Sequence, residues 1–144
     1  MATASYNSNA YSQRRAVLPV DDPSVATAAD ANPPAVGGVA LMVKKGDIID
    51  VGIDWSQWCA ANDAKIKSSI FTVHADSPDS VVITAANGID TTREHTVAII
   101  NTAANVAGNN VWLENVVVVE DRTTGTYNFP DRTLTRMLAL LVVR

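Results

Sequence analysis

Chemistry in a protein requires titratable or nucleophilic side chains within reach of one another, and this chain supplies few. Its two histidines, His74 and His95, stand 21 residues apart. Neither has a partner at the His-x-His or His-x-x-x-His spacing that sets two imidazoles on one metal ion. His95 alternates with Val97 and Ile99, which places it at the rim of a sheet, and His74 follows the end of a strand and reads as a solvated turn residue. The single cysteine, Cys59, can form neither an internal disulfide nor a thiolate cluster, and its Trp-Cys-Ala-Ala setting suits a small buried residue. Serine, histidine and aspartate are all present, but no Gly-x-Ser-x-Gly elbow exists, and Ser68-Ser69 falls in the middle of a strand. Asp50 and Asp54 alternate onto one face, near enough to share a proton or a calcium ion, yet an open sheet face offers no water-excluded cleft. There is no phosphate-binding loop, dinucleotide fingerprint or EF-hand loop. The reading is of a non-enzyme without cofactor or metal.

The elements that carry these residues are strands. From Asp47 to Trp55, Ile49, Val51, Ile53 and Trp55 point one way while Asp50, Gly52 and Asp54 point the other. That period of two predicts a strand with Ile49, Val51, Ile53 and Trp55 in the core and the aspartates on a wet face. Further strands are expected over 39–44, 65–73, 80–85, 93–101, 110–120 and 132–143, with a helical turn over 56–61. Turn chemistry separates them at Asn62-Asp63, Ser77-Pro78-Asp79, Asn87-Gly88, Gly108-Asn109 and Thr123-Thr124-Gly125. In 65–73 the apolar phase slips between Ile66, Ile70 and Phe71, Val73, which predicts a β-bulge. About seven short strands at this spacing predict an all-β fold, an immunoglobulin-like antiparallel β-sandwich over residues 39–144.

Strands 110–120 and 132–143 are apolar on both faces. In the first, Trp112, Val116 and Val118 oppose Val111, Leu113, Val117 and Val119. A strand apolar on both sides requires cover on both sides, so Trp112, Val116 and Val118 are candidates for a partner-binding sheet face. Trp58 caps the core from a loop.

Residues 1–38 differ in kind. They are rich in Ala, Ser, Thr, Asn, Asp and Pro, with Asp22-Pro23, Asn32-Pro33-Pro34 and Gly37-Gly38 as breaks. Such a segment buries too little apolar surface to fold alone. We read it as an extended N-terminal docking arm whose Tyr6, Tyr11, Arg14, Arg15, Val17, Leu18 and Val20 grip a partner. Charge divides along the same line. Residues 1–45 carry four basic and three acidic side chains, net +1, and the remainder seven and twelve, net −5, giving the total of −4. An acidic body lacks the clustered Lys and Arg that displace counterions from nucleic acid. No apolar run approaches the length of a membrane helix. The first residues lack the basic start and apolar centre of a secretion signal, so the cytoplasm is expected, at least at synthesis.

Residues 47–144 carry a resemblance. Asp50-Val51-Gly52-Ile53-Asp54-Trp55 followed by Ile66-Lys67-Ser68-Ser69-Ile70-Phe71-Thr72-Val73 resembles the Asp-Tyr-x-x-Asp-Trp strand, loop and Ile-x-Ser-Ser-x-aromatic-Thr strand of small structural proteins of tailed bacteriophages. Val51 stands where the family has Tyr, and Ile70 is extra. The Ala107-Gly108 turn, the Asp-Arg-Thr-Thr-Gly turn and the final strand 132–143 are also similar. The resemblance implies an immunoglobulin-like domain in the virion, a fibre–tail adaptor that bridges other virion subunits as a multimer and has no catalytic residues. Two further readings stand beside it: a capsid decoration (cement) protein, and a carbohydrate-binding module that stacks glycans on Trp58 or Trp112.

Overall fold

The computed structural model describes residues 5–6, 14–20, 36, 40–121 and 130–144. Tyr11 and the Thr123-Thr124-Gly125 turn therefore lie outside the described residues. Within them the chain is mostly strand. Two short strands, β1 (Ser5–Tyr6) and β2 (Arg15–Val17), precede β3 (Ala40–Lys44) and β4 (Ile48–Asp54). A short helix α1 (Ser56–Asn62) leads to β5 (Ala64–Val73), β6 (Val82–Asp90), β7 (His95–Asn101), β8 (Asn110–Asp121) and β9 (Arg132–Val143). The seven strands expected after residue 38 are β3 to β9, and the helical turn is α1.

The strands form two sheets. Sheet A has the order β1-β6-β7-β4-β2 and sheet B the order β3-β9-β8-β5. Both are mixed, which corrects the expectation of an antiparallel sandwich. The pairs β1–β6, β2–β4 and β3–β9 are parallel; the other four pairs are antiparallel. The physical reason is connectivity. The antiparallel pair β6–β7 is joined by a short turn that reverses the chain, whereas β1, β2 and β3 each join a strand far along the chain. Alternation in a sequence reports a strand and its faces, and is silent on the direction of its neighbour.

Side chains of the inner faces make one core. Val51, Ile53 and Trp55 of the opening strand are fully buried, and Ile49 packs partly buried against them. In β8 burial alternates strictly, with Val111, Leu113, Asn115, Val117 and Val119 inward. The slip in β5 is a bulge between Ile66 and Ser68. It turns Lys67 outward, where its ammonium meets Asp131 at 2.8 Å, and lets Ser69 and Phe71 resume the buried phase.

Two local expectations change. Asn87-Gly88 is no turn: β6 runs through it with register shifts, and the reversal comes after Asp90. Asn87 Nδ2 donates to the Ser69 carbonyl at 3.0 Å, tying β6 to the edge of sheet B, while Ile89 continues into the core. Gly52 is not on a wet face either. A Cβ there would stand 2.2 Å from the Thr96 carbonyl oxygen, so β4 and β7 approach one another there as only glycine permits. Helix α1 ends where Asp63 takes a left-handed conformation (φ 47°), a role suited to the short polar side chains of Asn and Asp.

Candidate functional site

The titratable groups converge at one end of sheet A. Register sets Asp54 opposite His95 across β4 and β7, and the reversal after β6 brings Asp90 back onto the same imidazole. His95 Nδ1 lies 2.7 Å from Asp90 Oδ2, and Nε2 lies 3.3 Å from Asp54 Oδ1. Asp90 also accepts from the Thr92 hydroxyl at 2.5 Å and from the backbone N–H groups of Glu94 and His95 at 3.0 and 3.1 Å. Asp54 accepts from the Ser56 N–H at 2.9 Å, and Arg15 of β2 approaches its other oxygen at 3.7 Å.

Burial disfavours every charge here, yet partners outweigh it. Burial opposes the His95 imidazolium, but its bonds to Asp54 and then Asp90 lift its pKa to about 9. Burial likewise pushes Asp54 and Asp90 up, while hydrogen bonds, those with His95 foremost, hold both below the usual carboxylate range. The set Arg15⁺, Asp54⁻, His95⁺, Asp90⁻ sums to zero. A histidine bracketed at both nitrogens and charged at neutral pH has no lone pair with which to take a proton. What this arrangement can do is clasp β4, β6, β7 and the incoming β2.

Three more clusters surround it. A buried polar bridge joins the sheets: Asn115 Oδ1 accepts from Trp55 Nε1 at 3.3 Å and the Thr96 hydroxyl at 2.8 Å. Its Nδ2 donates to the Ser69 hydroxyl at 2.9 Å and the Ile70 carbonyl at 3.1 Å. Beside it Trp55 and Trp58 meet edge to face, with centroids 6.1 Å apart, while Arg136 and Arg132 lie 5.7 and 5.4 Å from the respective ring centres. A cavity of about 360 Å³ is lined by Cys59, Ala60, Asp63, Ala64, Lys65 and Glu94, with the Lys65–Glu94 ion pair (2.5 Å) on its wall. Burial, then the Glu94 charge, pushes the Cys59 thiol up to about 12, which leaves no thiolate for nucleophilic chemistry.

The residues expected to grip partners are spread over two places. Arg14 is exposed and its carbonyl accepts from Gly52 N–H at 3.0 Å; Val17 and Val20 are 41% and 51% exposed. Leu18 is 0% exposed and lies in this chain's own core with Ala16. Tyr6 belongs to β1, paired with Asp90. Trp112, Val116 and Val118 stand together on the outer face of sheet B. Register extends that face: Val116 is opposite Ile70, Trp112 opposite Ala139, and Leu141 opposite Met42. Trp58 is buried beneath Arg132, so among the two indoles weighed for glycans only Trp112 presents surface.

Sequence reasoning missed the clasp and the Asn115 bridge. A signal existed for both. Asp90 and His95 flank four residues that end in Arg93 and Glu94, a reversal that sets them opposite one another. Asn115 falls on the inward parity between Leu113 and Val117, where a polar group requires partners. Comparison with protein-family models, curated proteins and solved structures finds no match to this chain.

Proposed function

We propose that the chain is a non-enzymatic structural protein of a bacteriophage virion, an immunoglobulin-like domain that bridges subunits at the tail or fibre-attachment region. One observation carries the reading of a bridging protein. The outer face of sheet B carries apolar side chains in all four strands, Ile70, Val116, Val118, Trp112, Leu141 and Met42, with Glu114 between Trp112 and Val116 and with Thr72, Thr133 and Thr135 beside them. Sheet A and α1 pack against its inner face. Large apolar side chains in every strand of an outer face, on a protein with only 18% charged residues, mark a surface made to be covered.

Strand order supports the immunoglobulin-like part of the reading. With β2 and β4 to β9 lettered A to G, sheet A contains A-B-E-D and sheet B contains C-F-G, the division of a constant-type immunoglobulin domain. β3 is added beside G, and β2 runs parallel to B. The resemblance of residues 47–144 to small phage structural proteins supports the place in a virion.

The test is copy number in purified particles. A tail or fibre adaptor is expected at about six or twelve copies, as ring symmetry demands, whereas a capsid decoration protein is present in hundreds. Absence of the chain from particles overturns the virion reading. A Val116→Lys variant, which places a charge on the outer face, is expected to fold as wild type and to fail to incorporate. Normal incorporation of that variant removes the outer face as the contact.

A further inference from the structure

We infer that the edge of β4 is an acceptor groove for an arm strand, and that at high protein concentration it takes the Arg15–Leu18 segment of a second copy of this chain. The groove has three parts. The backbone of β4 accepts β2 in parallel register, Arg15 beside Gly52, Ala16 beside Ile53 and Val17 beside Asp54. Flanking bonds run from Gly52 N–H to the Arg14 carbonyl at 3.0 Å and from Leu18 N–H to the Asp54 carbonyl at 2.9 Å. Two core sockets receive Ala16 (3% exposed) and Leu18 (0%). The Asp54 carboxylate, held ionised by His95, meets the Arg15 guanidinium at 3.7 Å.

None of these contacts depends on which copy supplies the strand. β2 runs parallel to β4, so no hairpin ties the two, and residues 19–35 separate Leu18 from Val36, the next described residue held in the core. An extended chain of that length reaches roughly 55 Å, farther than the diameter of a domain of this size. Occupancy by the chain's own segment or by a neighbour's is then set by effective concentration alone. A segment tethered through such a length competes at an effective concentration on the order of millimolar. Copies held side by side in an assembly reach that range, and exchange of an identical element needs no new interface chemistry. The inference concerns the protein by itself and does not rest on the virion reading.

Engineered thiols at one register pair distinguish the two arrangements. Adjacent strand positions have the Cα separation that a disulfide requires, and Ala16 and Ile53 are such a pair. The buried thiol of Cys59 stays out of the exchange. An Ala16→Cys, Ile53→Cys double variant oxidised at micromolar concentration is expected to close within one chain. Ala16→Cys and Ile53→Cys single variants mixed at millimolar concentration are expected to give the crossed heterodimer at least tenfold above either homodimer. Crossed product no more abundant than the homodimers, with the double variant closing fully, overturns the inference. Because Ile53 lies in the core, wild-type protein is also refolded at micromolar and at millimolar concentration. A dimer that forms only in the latter and persists on dilution is expected; monomer alone in both overturns it.

Discussion

His95 shows how much one side chain acquires from its register. Alone on a strand rim it would titrate near neutrality, but between Asp54 and Asp90 it stays charged up to about pH 9. Its folded pKa lies above the unfolded value, so its contribution is complete below about pH 6.5 and is lost as pH rises through 9. Asp54 and Asp90 have depressed values, so theirs is present above about pH 4 and is lost as pH falls through the folded values. The clasp is strongest between about pH 4 and 6.5. Thermal melts of the wild type and His95→Gln across pH 4–11 are expected to differ most there, on the order of 2–3 kcal/mol, and to converge above pH 10. A constant difference across the range would show that the clasp is not the source. Asn115 makes the same point without charge. Asn115→Ala strands the Trp55 indole N–H and the hydroxyls of Thr96 and Ser69 in the interior. A loss of about 3 kcal/mol is expected in urea unfolding, from a cost of about 1–3 kcal/mol per orphaned buried group. The turn after Asp90 and the inward parity of Asn115 signalled that each needs a partner, but alternation assigns a side chain to a face and leaves open which residue stands across from it.

At the scale of elements, legibility divides by the kind of information each element needs. The boundaries of β4, β8 and β9 fall within a residue or so of the apolar pattern, and the bulge in β5 was visible as a phase slip. The course of β6 was not, since Asn-Gly is a strong hairpin signal and here its amide is used to tie an edge. Asp54 read as a solvated carboxylate because nothing in β4 announces that β2 will lie along its edge. That short strand has a measurable consequence. Leu18→Ala empties a fully buried socket and is expected to cost about 2–5 kcal/mol in denaturant unfolding, whereas Val20→Ala, at 51% exposure, is expected to change little. Equal effects would mean that the segment does not anchor the fold.

For the whole molecule the notable feature is that one core draws on both sheets, the helix and three described residues before residue 39. Ala16, Leu18 and Val36 share it with Val51 and Ile53 of sheet A and with Val117 and Leu138 of sheet B. Composition marks residues 1–38 as unable to fold alone, and the structure shows three of them completing an interior built by the rest. The all-β character was legible because seven amphipathic or two-faced strands leave few other ways to bury their apolar sides. The order of strands within each sheet was not, since it depends on contacts between segments remote in sequence, such as β3 with β9.

The placement of the three indoles has an optical consequence. Trp55 and Trp58 sit edge to face in the interior, each beneath a guanidinium, while Trp112 stands alone on the outer face of sheet B. Their emission therefore separates into two reporters, one of interior integrity and one of whatever covers the sheet. Replacing Trp112 with Phe leaves only the first. The difference between the two spectra then follows the covering of that face in real time, without an attached dye.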